Sequence, residues 1–172
     1  MSSKPAPPRS AHVDKAHFRR TCGHFPTGVT ILTVLDAKGA PHGMTASSFT
    51  SVSLDPPLVL VCVDHRATVM KHLRRAEHIG INILSEGQHE LSQRFATRGQ
   101  DRFDGVEWNP GRHGVPLIPG VLASFECGMH RLVDAGDHAI LIVEVLRAEH
   151  RDGRPLVYFG SGYHKLDGTH GE

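Results

Sequence analysis

The chain has 172 residues, a formal net charge of +1 at pH 7, 39% hydrophobic and 22% charged residues, which suits one globular domain with its own core. Near-neutral charge and an aromatic content of 6% argue against a nucleic-acid or polybasic membrane surface, and no apolar run is long enough to span a bilayer. Three cysteines without a CxxC pair fit reduced thiols and a cytoplasmic setting.

Residues 1–13, rich in Pro and Ser, read as a disordered tail and 167–172 as a second one, bounding a domain at 14–166. Asp14 is placed to cap a helix running to about His24, with Phe18, Cys22 and Phe25 on one apolar face and Pro26 ending it. Strands are expected at 28–35, 42–49 and 50–54, with a turn at Lys38-Gly39 and a break at Asp55-Pro56-Pro57. Residues 58–63 are apolar on both faces, as in a central or covered strand, and Cys62 within them reads as a small core residue, as does Cys22. An amphipathic helix follows over 67–77, with Val69 and Leu73 inward and Lys71, Arg74 and Arg75 outward. A strand carries Ile79, Ile81 and Ile83, and a helix over 87–96 sets Leu91 and Phe95 one turn apart.

Residues 99–119 form a long irregular segment anchored by Phe103 and Trp108, the kind of loop that covers a site. Strands at 121–133, 138–148 and 155–160 complete the chain. About eight strands and three helices, without a regular βα alternation, predict a mainly β fold with peripheral helices. A Greek-key split β-barrel fits best, while periodicity leaves a sandwich open.

The chain lacks a Rossmann GxGxxG, a phosphate-loop GxxxxGK[ST] and a GxSxG elbow. Its 14 histidines are scattered, with no HExxH. No metal site is expected, although distant histidines can converge in a fold. Asp137 and His138 are not expected to form a dyad, because neighbouring side chains on a strand point apart.

The most informative stretch is GMTASSFTSVSLDPPLVLVCVD at 43–64, small and hydroxyl-rich, with no charge before Asp55. Small side chains let a flat ligand approach the backbone. With FPTGVTILT at 25–33, INILS at 81–85 and AGDHAILIVEV at 135–145, this block resembles the flavin reductases of the FMN-binding split-barrel superfamily, the short reductase components of two-component monooxygenases. The resemblance covers roughly 14–163; GSGYHKL at 160–166 lacks an arginine that many relatives carry.

The resemblance implies a homodimer in which NADH or NADPH reduces FMN or FAD, the reduced flavin passing to a partner monooxygenase; the alternatives are a reductase that holds FMN tightly and reduces another small acceptor, or a flavin-binding protein without turnover. Nucleic acid and membrane are not expected partners. It places Thr45, Ala46, Ser47 and Ser48 along the flavin, where the residues alone would also suit a hydroxyl-rich strand surface. It sets Thr27 and Gly28 at a corner beside the ring. Arg66 and Thr68, which otherwise read as the start of a surface helix, fall near the flavin phosphate. Cys62, Asp64, Phe95 and Tyr163 join the implied flavin-binding set. Asn82 either orients the flavin loop or satisfies neighbouring backbone groups. His138 is assigned to nicotinamide positioning, without an obligatory acid or base role.

Overall fold

The computed structural model describes residues 13–99 and 101–166; the expected tails at 1–13 and 167–172 lie outside them except for Val13. Helix α1 spans Lys15–Cys22, and the Asp14 carboxylate accepts from His17 N at 2.9 Å as its cap. Strands β1 (Thr27–Gly28), β2 (Thr30–Leu35), β3 (Pro41–Ala46), β4 (Thr50–Leu54) and β5 (Pro57–Asp64) follow, then a short α2 (Met70–Leu73) and β6 (His78–Ile83). Helix α3 (His89–Ala96) follows a 3₁₀ turn at Glu86–Gln88, which Ser85 and Gln88 close as a capping box. Strands β7 (Asn109–Pro110), β8 (Pro116–Leu117), β9 (Ala123–Ala135), β10 (His138–His150), β11 (Val157–Phe159) and β12 (Gly162–His164) complete the order.

The main sheet has seven strands in the order β3-β2-β6-β9-β10-β5-β4, and its pairings are antiparallel. Its two outer strands, β3 and β4, are consecutive in the chain and joined by residues 47–49 alone. Three residues reach at most about 3.6 Å each, so the ends of the sheet must approach each other and the sheet must roll. This mainly β, barrel-like architecture agrees with the expected fold class. Strands β1, β11 and β12 form a separate small sheet.

Two apolar clusters fill the fold. Leu32, Val34, Val59, Val61, Val63, Ile79, Ile81 and Leu141 pack inside the rolled sheet. Ile31, Leu84, Phe95 and Phe103 pack between β2, α3 and the 99–119 segment. Strand β2 feeds both clusters through alternate residues, as the two faces of a pleated strand require. Gly43 lets Phe95 lie against β3: a Cβ there would sit 2.8 Å from the ring and 2.7 Å from Leu32 O. The long segment is anchored as expected, with Phe103 edge-on to Phe95 at 4.9 Å.

Several expectations are corrected. No residue of α1 is buried, and Phe18, Cys22 and Phe25 stand exposed, because no described element packs on that apolar face. The helix expected over 67–77 is regular only at Met70–Leu73, although Val69 and Leu73 do point into the core. Strand β5 is buried on one face only: Val59, Val61 and Val63 face the core, while Leu58, Leu60 and Cys62 are half-buried, an alternation that β10 continues beside it, so the outer face of both strands lies partly open. Cys62 is therefore not a core residue, whereas Cys127 is; burial, then nearby Glu126, pushes its thiol up to about 12.

Candidate functional site

The segment Thr45–Ser48 is held by side chain–backbone bonds. Thr30 Oγ1 donates to Ala46 O at 2.8 Å, and Thr45 Oγ1 donates to Ser92 O at 2.6 Å. Ser48 Oγ accepts from Cys62 N at 2.9 Å and donates to Cys62 O at 3.2 Å, pinning the crossing to β5. Ala46 is buried and Ser47 exposed. The hydroxyls of Thr45 and Ser48 thus fix the edge, leaving backbone groups and Ser47 as its free polar surface.

A second arm reaches this edge from β1. Thr27 pairs with Tyr158, Tyr158 packs edge-on against Tyr163 at 5.5 Å, and Tyr163 Oη lies 2.8 Å from Ser92 Oγ. Among the described residues, Thr27 Oγ1 is buried and has no hydrogen-bond partner, which is costly for a hydroxyl; Thr27 is linked to the edge through Tyr158, Tyr163 and Ser92. Gly28 is exposed, with open space where a Cβ would stand.

Two predicted contacts are built into the walls instead. Asn82 is fully buried: Nδ2 donates to Ile31 O at 3.2 Å, and Oδ1 accepts from Ile118 N at 2.9 Å. It satisfies neighbouring backbone groups, one of its two anticipated roles. Phe95 is also fully buried, within the cluster behind β3.

The charged end of the site lies two residues beyond Cys62. Asp64 pairs across the sheet with His138. It accepts from Arg66 N at 2.8 Å and from the Arg66 guanidinium through Nε at 3.2 Å and Nη2 at 2.8 Å. These bonds hold the Asp64 carboxyl well below the usual carboxylate range. The backbone N–H groups of His65, Ala67 and Met70 also donate within the chain. The open helix start expected at 67 is absent, because the chain turns there before α2 begins. Thr68 is exposed.

His138 Nδ1 lies 2.7 Å from Asp137 Oδ1, which corrects the expectation that these neighbours point apart. Asp137 sits in the β9–β10 turn, where strand alternation does not apply. The bond to His138 keeps the Asp137 carboxyl below its ordinary value. An ionised carboxylate only accepts, so Nδ1 carries the proton and Nε2 is left for another partner.

The flavin reductase like domain model matches residues 22–167. The chain belongs to that family. It is 47% identical over 146 residues to the FMN reductase (NADH) SmoA of Agrobacterium fabrum, covering 85% of this chain and 83% of that one. It is 45% identical to the stachydrine N-demethylase reductase subunit of Rhizobium meliloti, over 87% of this chain, and spans 65% of that protein's length. Among solved structures, the Streptomyces globisporus NADH:FAD oxidoreductase in complex with NAD and FAD fragments superposes with a TM-score of 0.85 at 40% identity, covering 90% of this chain and 93% of that one.

The fold of this flavin reductase family member gathers the predicted residues into two groups. Thr27, Thr45 and Tyr163 are connected through Tyr158 and Ser92. Ser48, Cys62, Asp64, Arg66 and His138 are connected along β5. Ser92 and Asp137 emerge as additional members. Ser92 stands one helical turn from Phe95, and only the fold shows that it meets Tyr163.

Proposed function

We propose that this chain is an NAD(P)H:flavin oxidoreductase that moves hydride from NADH or NADPH to FMN or FAD and delivers the reduced flavin to a partner monooxygenase. The observation that carries the site assignment is the uncharged edge at 45–48, pinned to β5 by the Ser48–Cys62 bonds and followed along that strand by the Asp64–Arg66 pair. A bound flavin supplies the hydride acceptor, and the reduced nicotinamide supplies the hydride.

The chain's own residues position these groups. Backbone groups at 45–48, fixed by the Ser48–Cys62 bonds, hold the ring's polar edge without reorganising. Arg66 and Thr68 are exposed where a phosphate would follow, and Arg66 is oriented by Asp64. His138, oriented by Asp137, presents Nε2 toward the nicotinamide. The half-buried stripe of Leu60, Cys62, Ile140 and Ile142 supports a second copy of the chain as the cover of this face.

Anaerobic stopped-flow mixing with the four flavin–nicotinamide pairs tests the activity; no bleaching of flavin with any pair would end the reading. Thr27→Val tests the site. Removing an unsatisfied hydroxyl should leave stability unchanged or raised, while flavin affinity falls about three- to tenfold. Unchanged affinity would move the flavin away from this corner. Gel filtration tests the dimer.

A further inference from the structure

Away from these residues, the turn of the β2–β3 hairpin, the start of β3 and helix α2 bring Asp36, His42 and His72 together. Each offers one ligand atom, and the three atoms lie within 4.8 Å of one another. His42 Nε2 and Asp36 Oδ2 are 3.2 Å apart, close to the spacing of about 3.3 Å between two ligands of one tetrahedral zinc ion. The His42 and His72 rings stack with centroids 3.9 Å apart and an interplanar angle of 12°. Closing on an ion requires the rings to splay at one edge, which side-chain rotation supplies.

The donors are prepared for that role. Asp36 Oδ1 accepts from Lys38 N at 2.8 Å and Ala40 N at 2.9 Å, which fixes the carboxylate and presents Oδ2 to His42. Among the described residues, His72 Nε2 is buried without a hydrogen-bond partner. Lys71 and Arg75 oppose a cation here, whereas the anchored carboxylate favours it.

We propose that Asp36, His42 and His72 form a binding site for one divalent transition-metal ion of the zinc type. Two imidazoles and a carboxylate suit such an ion and leave one tetrahedral position for water. The ion clips the β2–β3 hairpin to α2.

The test uses the full-length, tag-free chain, stripped with chelator and titrated with Zn²⁺ against a chromophoric competitor. Asp36→Asn and His72→Gln are compared with wild type, and His130→Gln, an exposed residue outside the cluster, controls for scattered histidines. Wild type and His130→Gln should bind one equivalent, with binding at least about 100-fold weaker in the other two variants. Zn²⁺ should raise the Tm of wild type and leave both cluster variants unmoved. The proposal is overturned if wild type binds no equivalent, if the cluster variants match it, or if His130→Gln weakens binding as they do. Should His72→Gln fail to fold, Asp36→Asn in the hairpin turn decides alone.

Discussion

Ser48–Cys62 and Asp64–His138 meet on one strand, two residues apart, yet they are built in opposite ways. At the first, an uncharged hydroxyl bonds a strand backbone through both its N–H and its C=O. At the second, partly exposed side chains hold one another, Arg66 in an ion pair with Asp64 and His138 in a hydrogen bond with Asp137. A wall for a flat ring must already be in place when the ring arrives, so its polar groups are spent on the backbone. Groups that meet a flexible phosphate or a passing nicotinamide must exchange partners, so they stay in solvent. Substitutions at the edge should therefore damage fold and binding together, whereas substitutions at the charged end should separate them.

The largest effect is expected where the wall is deepest. Asn82→Leu leaves Ile31 O and Ile118 N without their partner in a dry interior and should cost about 2–5 kcal/mol in urea unfolding. Its folded fraction should reduce flavin at the wild-type rate, since the side chain is consumed inside the wall. A stable variant with lost flavin binding would make Asn82 a contact residue instead. Ser48→Ala comes next. Loss of both bonds to Cys62 should destabilise by about 1–3 kcal/mol and weaken flavin binding about tenfold. Destabilisation with unaltered flavin affinity would show that the edge is structural alone.

The same contrast explains what could be read from the sequence. The strand pattern, the Asp14 cap and the anchoring of the long segment by Phe103 follow from local periodicity and side-chain chemistry. The hydroxyl-rich block stood out because its small uncharged residues run directly into an apolar strand. Long-range pairing was not legible. The half-open face of β5, shared with β10, depends on what covers the sheet, which VLVCV cannot disclose. The exposure of Phe18 and Phe25 depends on what else packs there. The Asp137–His138 contact was not legible because β10 begins at His138, so Asp137 lies in the turn, where strand alternation does not apply. Asp36, His42 and His72 lie on separate elements, so their meeting is a product of the fold.

At the charged end the effects shrink and become selective. Arg66→Ala should leave the urea midpoint unchanged, because the exposed pair with Asp64 is screened by solvent. Flavin KM should rise about tenfold, less at high salt, while turnover at saturating flavin stays near wild type. Unaltered KM would remove Arg66 from the phosphate site.

His138→Ala should give the smallest change. Its ring is half exposed, and its bond to Asp137 joins two neighbours in sequence, so folding has little stake in it. Nicotinamide KM should rise about three- to tenfold, with flavin affinity unaltered. Asp137→Asn offers the finer cut. Losing the carboxylate removes the acceptor that keeps the proton on Nδ1, so the nicotinamide effect should reappear in weaker form with His138 intact. Asp137→Asn acting on flavin affinity instead would place this pair at the phosphate end beside Asp64, and the division of labour along β5 would have to be redrawn.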